Sequence, residues 1–366
     1  FALFNQLSHI GEERNSCTLN TCVTFLKGRY LFKRDSNGRL INQHCLPFFD
    51  AVLNGERCSD LLYTEAMFFK GYALIRTPDY PKGFEYIMRA KEMANKAGFA
   101  TFPNTFELYA LLGNTLYSFS DYENALSYML ECVKYQGTVE ARETVDAYNT
   151  IALCYRQTNN YDSASYYFQY AYNLANSAQV ADWVGIISGN IGEMLFRKGK
   201  YREALPYLNR DVQISSATQQ IASTARAYIT IGRIYILLGN LDSAAIVMQA
   251  ASPLINATND NKVFSDYYSN LYKINKTRNK DRAIECNDSS LYYRELAAKE
   301  IDVIAADKIK SKLEIEKFMG NIRLLESENR RSRLERTGAI IIAALLLLIS
   351  VQVIRRIRLQ RKHARK

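Results

Sequence analysis

Cysteine is the residue type whose spacing first suggests chemistry in this chain. Cys17, Cys22, Cys45 and Cys58 fall within 42 residues, and His44 precedes Cys45. Thiolate and imidazole groups bind zinc, but these spacings lack the C-x-x-C pairs typical of structural zinc sites. Disulfides among the four thiols are a second interpretation and require an oxidising compartment. The third, which we favour, is that the thiols are small buried side chains, so the sequence predicts no metal site.

Catalytic motifs are absent from the sequence. Only three His residues occur, and there is no H-E-x-x-H, G-x-S-x-G, G-x-G-x-x-G or phosphate-loop pattern. No pair of carboxylates is marked out for general acid–base work. The sequence therefore predicts a protein that is not an enzyme, with no catalytic residues and no cofactor. A hydrolase or a transferase is the least favoured class.

The positive charge of the chain is confined to one end. The net charge is +10, but residues 321–366 hold twelve Lys and Arg against three Glu, which leaves residues 1–320 nearly neutral. A nucleic-acid-binding domain needs a basic surface that neutralises phosphates. The sequence thus predicts no nucleic acid as a partner of the covered segment.

The basic residues flank one apolar segment, GAIIIAALLLLISVQVI at 338–354, which has no charge in 17 residues. That length is at the short end of the range for a membrane span, and flanking Arg side chains can extend to the interface. A transmembrane helix over 337–354 is the prediction, and a buried core helix is the alternative. The basic segment 355–366 then lies in the cytoplasm by the positive-inside rule.

Four segments in the middle of the chain align with one another. They begin at Phe106, Val145, Gly185 and Ala225, so that their starts are 39, 40 and 40 residues apart. Small residues recur at positions 8 and 20 and large ones at position 24: Gly113, Ala152, Gly192 and Gly232; Ala125, Ala164, Ala204 and Ala244; Met129, Phe168, Leu208 and Met248. Small residues let two helices approach closely, and large ones fill the seam with the next unit.

This pattern resembles the tetratricopeptide repeat (TPR) family, whose units are pairs of antiparallel helices. The large position 4 holds no Trp, the Pro of position 32 is missing, and the period exceeds the usual 34 residues. The resemblance implies an all-α solenoid. We divide the chain into 1–62 (degenerate helical repeats), 63–257 (TPR array, with a further repeat start near 64), 258–288 (partial repeat and polar loop), 289–336 (long stalk helix), 337–354 (span) and 355–366 (basic stub).

The resemblance also implies where a partner binds. In this family the first helix of each unit lines a concave groove that holds a protein or peptide. Carried over residue by residue, the groove positions give Asn114, Tyr117, Asn149, Arg156, Glu193, Arg197, Arg226 and Arg233. Arg, amide and aromatic side chains are suited to reading a peptide. The alternative for each residue is a solvated helix face.

The overall layout is similar to that of bacterial membrane regulators, in which an exported repeat array is joined through a helical stalk to a cytoplasmic output. Such an output is a LuxR-like helix-turn-helix or a histidine kinase. We therefore expect the sensor part of a signalling or transcription regulator, truncated before its output domain. The repeats would be periplasmic, at the bacterial inner membrane, and the stalk would pair as a coiled-coil homodimer or stand as a solvated monomeric helix. The alternative is a complete membrane-tethered interaction scaffold, with a tail-anchored protein ranked third.

Overall fold

The architecture is described from a computed structural model, in which residues 2–35, 43–77 and 79–363 are described. Within these ranges the chain is helical and has no strand. The helices are α1 (Ala2–Glu13), α2 (Cys17–Asp35), α3 (Leu46–Asn54), α4 (Asp60–Arg76), α5 (Tyr80–Ala97), α6 (Thr105–Ser118), α7 (Tyr122–Cys132), α8 (Ala141–Gln157), α9 (Tyr161–Ser177), α10 (Ala181–Arg197), α11 (Tyr201–Ala217), α12 (Ile221–Leu237), α13 (Leu241–Thr258), α14 (Asn261–Asn275) and α15 (Lys280–His363). Three short 3₁₀ turns, Gln43–Cys45, Phe99–Thr101 and Val133–Thr138, lie between them.

The helices form sequential pairs, α4 with α5 through α12 with α13, and each pair packs on the next. The expected all-α repeat solenoid is confirmed. Residues 2–311 form one compact unit and residues from 312 onward another.

The turns show why the sequence breaks into pairs at these points. Ser120, Asn159, Gly199 and Gly239, which recur at 39- or 40-residue intervals, have positive φ between the two helices of a pair. The next residue then donates its N–H to the carbonyl five residues back, as from Asn160 to Tyr155 at 2.9 Å. This is the Schellman arrangement that ends a helix, and Gly or Asn adopts it at little cost. The Asn160 side chain also accepts from the Ser163 N–H and so caps α9.

Position 8 of the repeat is small because the partner helix crosses directly over it. A Cβ on Gly192 would lie 2.6 Å from Cγ of Leu208, and a Cβ on Gly113 would lie 2.6 Å from Cγ of Met129. Leu208 and Met129 occupy position 24 and are fully buried. The predicted close approach at the small positions is therefore confirmed within each pair, and Leu208 also packs in one core cluster with Ile231 of α12, in the seam with the next pair.

Helix α15 begins as the partner of α14. Ser265 and Ser290 exchange hydroxyl-to-carbonyl hydrogen bonds of 3.1 Å, and Phe264 stacks on Tyr293 at 4.6 Å. The helix then continues to His363.

The predicted span 337–354 lies within α15, and most of its side chains are outside the described residues, as are those of 355–366. Among the residues that the structure describes, no helix combines the length and the hydropathy that crossing a bilayer requires.

Candidate functional site

The first helices of successive pairs, α4, α6, α8, α10, α12 and α14, contact one another directly, and we call their shared surface the first-helix face. All eight groove residues predicted from the sequence lie on these helices. The structure also shows which residues each of them contacts, and these contacts cannot be derived from the spacing of the repeats.

A line of hydrogen bonds joins neighbouring first helices, and we call it the polar ladder. It consists of Thr150 Oγ1 donating to Asn114 Oδ1 at 3.1 Å, Asn190 Nδ2 donating to Asn149 Oδ1 at 2.9 Å, and Thr230 Oγ1 donating to Glu193 Oε2 at 3.5 Å. The partners are 36 to 41 residues apart in the chain. The ladder holds amide and hydroxyl groups in fixed positions, with donors and acceptors that match those of a peptide backbone.

Arg156, near the end of α8, is the least satisfied of the predicted residues. Its side chain is only 8% exposed, and its Nε and Nη1 atoms have no hydrogen-bond partner among the described residues. The Phe168 ring lies 5.9 Å from Cζ, and the Tyr117 hydroxyl lies beside the guanidinium. Burial, and then the positive charge of Arg197, lower the pKa of Arg156. A buried cation without a full set of partners is a costly arrangement for a fold alone.

The carboxylate that could neutralise Arg156 is engaged elsewhere. Glu193 Oε1 accepts a hydrogen bond of 3.0 Å from Arg197 Nε, and its other oxygen accepts from Thr230. Further along the array, Arg233 Nη2 is 3.6 Å from Asp266 Oδ1. The cations Arg156, Arg197 and Arg233 thus lie on three successive first helices, with only partial compensation.

Arg226 is exposed at the opposite end of α12, near the Asp211 carboxylate. Asp211 stands at position 27 of the third aligned repeat, where the other repeats carry a small residue. Its carboxylate is buried and accepts hydrogen bonds from Ser215 at 2.5 Å and Ser223 at 3.0 Å. Burial raises the pKa of Asp211. The space for this side chain comes from Gly189 on the facing helix.

Acidic side chains occupy the other side of the first-helix face. Glu65, Glu107 and Asp146 all stand at repeat position 2, near the starts of α4, α6 and α8. Burial is the first cause that raises the pKa of each, for Asp146 to about 6. Glu65 accepts a hydrogen bond from Asn104 at 2.9 Å, whereas Oε2 of Glu107 is buried without a partner among the described residues. Position 2 is one of the groove positions of the family, so the resemblance also implies Glu107 and Asp146, whereas Glu65 was not predicted.

Two of the four clustered cysteines are paired. Cys17 and Cys58 form a disulfide with their Cα atoms 5.9 Å apart, and Cys22 is a free thiol. The disulfide ties the start of α2 to the segment that precedes α4. The favoured prediction, that all four thiols are simply small buried side chains, is thus wrong for this pair, because folding brings together residues that are 41 apart. A Glu56 carboxylate oxygen lies within 4.8 Å of both sulfur atoms.

Comparisons with known proteins agree with this geometry. The tetratricopeptide repeat family matches residues 106–138, 145–177 and 225–252. Those segments begin at three of the four predicted repeat starts, and α10 with α11 supplies the fourth helix pair. The chain is therefore a helical solenoid in which three segments match the tetratricopeptide repeat. No curated protein matches the sequence.

Solved structures share the fold at low sequence identity. The apo form of RapI aligns with a TM-score of 0.65 and 13% identity, over 86% of this chain and 94% of RapI. The apo quorum sensor NprR from B. thuringiensis gives 0.58 and 15%, over 85% and 92%. NprR in complex with its cognate peptide NprX gives 0.50 and 18%, over 88% and 94%. At these identities the likeness concerns the fold.

Proposed function

We propose that this chain is a peptide-binding sensor, in which the first-helix face holds an extended segment of peptide or protein. The observation that carries this proposal is the polar ladder, which presents fixed amide and hydroxyl groups along four successive first helices. An extended peptide offers one N–H and one C=O per residue and can bond to such groups without matching a particular sequence. NprR, which shares the fold, binds its cognate peptide.

The sensor also needs a route from the repeats to the rest of the chain, and α15 supplies one. Asn270 of α14 donates a hydrogen bond of 2.9 Å to the Ile229 carbonyl of α12, and α14 is bonded to α15 through Ser265 and Ser290. A ligand that changes the spacing of the first helices would therefore act on α14 and, through it, on the start of α15.

We further propose that the apolar segment 338–354 anchors the chain in a membrane, with the repeats on the outer side. Support comes from the 17 uncharged residues, from the twelve Lys and Arg in residues 321–366, and from the Cys17–Cys58 disulfide. Disulfides persist in oxidising compartments such as the periplasm. Together these features favour a membrane-tethered sensor.

The proposed function is tested by affinity selection from a synthetic library of random octapeptides with free ends. The wild type should retain a reproducible set of peptides. Replacing both Asn114 and Asn190 by Ala removes two ladder groups and should weaken the best selected peptide at least tenfold. A matched control replaces Gln169 and Asn173, an exposed amide pair on the second helix α9, and should bind like the wild type. Equal affinity in the ladder and control variants would place the binding site elsewhere.

A second measurement separates a sensor from a passive scaffold. Amide hydrogen exchange is followed in the wild type with and without the best selected peptide. In a sensor, binding changes the protection of residues 280–311 at the start of α15, although the peptide contacts only the first helices. Protection that changes on α6 to α12 alone would indicate a scaffold.

A further inference from the structure

The charge on the first-helix face changes sign across it. Repeat position 2 carries Glu65, Glu107 and Asp146 in the earlier repeats, whereas the later repeats carry Ile186 and Arg226 there. On the other side of the face, positions 9 to 13 change in the reverse sense. The first aligned repeat carries the uncharged Asn114, Tyr117 and Ser118, and the later ones carry Arg156, Arg197 and Arg233. Two charges depart from this trend: Arg76 stands at position 13 of the repeat that starts near 64, and the acid Glu193 stands at position 9 of the third aligned repeat, where it is bonded to Arg197. With these two exceptions, acids and cations are separated along a diagonal of the face.

Each end of this diagonal contains a buried polar atom without a partner among the described residues. At the acidic end it is Oε2 of Glu107, and at the basic end they are Nε and Nη1 of Arg156. The Arg156 side chain is more than nine-tenths buried. Desolvating a charge without pairing it destabilises a fold by several kcal/mol, so such atoms mark a place where a charged ligand completes the set.

Neighbouring charged groups do not neutralise the acidic row or Arg156. The charges that face Glu107 are Glu143 and Arg29, and the Arg29 guanidinium is stacked over the Phe69 ring at 4.3 Å. The cation nearest Asp146 is Arg142, which donates two hydrogen bonds to the carboxylate of Asp182 in the next repeat. The acidic row thus retains excess negative charge and the Arg156 end excess positive charge.

We propose that the first-helix face binds a peptide in one direction only, with an ammonium group of the peptide at the acidic row and a carboxylate of the peptide on Arg156. This inference rests on the proposed function and specifies its ligand. Asp146 and Arg156 are ten residues apart on α8, which corresponds to about 15 Å along the helix axis, so a peptide that reaches both runs obliquely to the polar ladder. An extended chain advances about 3.3 Å per residue, so the two ligand charges lie about five residues apart.

The test uses the octapeptide library of the proposed function with two charge-neutralising variants. Peptides retained by the wild type should carry a basic group and an acidic group separated by about five residues. Arg156→Met should lose the selection for the acidic group, and Glu107→Gln should weaken the selection for the basic one. Exposed residues on second helices give the matched controls Arg202→Met and Glu123→Gln, which should select like the wild type.

A double-mutant cycle with the best selected peptide tests whether Arg156 contacts the acidic group of the peptide. Neutralising the acidic group of the peptide should weaken binding to the wild type at least tenfold and binding to Arg156→Met less than twofold. Acetylating the amino terminus and replacing an internal Lys by norleucine distinguish the two sources of the ammonium group. Thermal unfolding checks the variants, and Arg156→Met should unfold at the same temperature as the wild type or a higher one, because an unpaired buried cation is removed.

The outcomes separate the two proposals. If the wild type retains no peptide, the proposed function fails, and this inference fails with it. Two outcomes would refute only the proposed direction of peptide binding. In one, peptides bind through the polar ladder but carry no paired charges; in the other, Arg156→Met shows no coupling to the acidic group of the peptide. Coupling in the cycle together with unchanged folding establishes it.

Discussion

Replacing Asp146 by Asn should stabilise the protein in neutral solution and have little effect in mild acid. Asp146 lies near the start of α8, where burial raises the pKa of its carboxyl group to about 6. The Arg142 charge opposes this shift and the Glu143 charge adds to it. Because Arg142 is bonded to Asp182, it compensates the Asp146 charge only in part.

The size and sign of the effect follow from linkage. The folded pKa lies above the ordinary aspartate value, so the stability associated with the protonated group is fully present below about pH 4 and is lost as the pH rises through about 6. A pKa unit corresponds to about 1.4 kcal/mol, which sets an upper limit of about 3 kcal/mol for the cost of ionised Asp146. Because the side chain is only half-buried, solvent screening reduces the expected gain in Asp146→Asn to about 1–2 kcal/mol above pH 7.

Urea unfolding of the wild type and the variant between pH 4.5 and pH 7.5 measures this difference. The difference in the free energy of unfolding between Asp146→Asn and the wild type should increase as the pH rises and reach a plateau near pH 7. Glu123→Gln is the control, because the Glu123 side chain is exposed on α7 and is not among the charges that shift the pKa of Asp146. A gap that is independent of pH, or a variant that is less stable than the wild type at pH 7.5, would refute the reasoning.

Three further predictions concern packing, the disulfide and the apolar segment. Gly192→Ala should lower the free energy of unfolding by about 1–3 kcal/mol because its Cβ meets the facing helix, whereas Gly137→Ala, with open space around it, should change little in the same urea titration. Breaking the disulfide by Cys17→Ser should lower stability by about 3–4 kcal/mol, since a loop of 41 residues is released, and a reducing agent should abolish the difference from the wild type. Deleting residues 337–366 should move the protein from the carbonate-resistant membrane pellet to the supernatant, and a deletion variant that stays in the pellet would contradict the anchor.

The repeat units could be predicted from the sequence because their signals are local or periodic. The residues with positive φ between paired helices, such as Asn159 and Gly199, end helices wherever they occur. Small residues such as Gly192 recur at a position where two helices cross, and this recurrence allowed the helix pairs to be predicted from the sequence alone. The same periodicity located the first-helix positions on which the candidate site lies.

The partners of the site residues were decided only by the tertiary structure. Arg156 occupies a position that the sequence predicts to face the groove. Its two unpaired atoms could not be predicted, because only the tertiary structure shows that the nearby Glu193 carboxylate is bonded to Arg197. Asn149 and Asn190 meet across 41 residues because consecutive repeats stack at one particular offset.

That offset results from many side-chain contacts between repeats and has no signature in the spacing of any one residue type. The pairing of Cys17 with Cys58 has the same origin, since four cysteines allow several pairings and only the packing of α2 against the segment before α4 selects this one. The sequence by itself thus determined the repeated unit and the face that it presents, because these depend on local turns and close helix contacts. The charges left unpaired on that face were decided by how each repeat sits on the next.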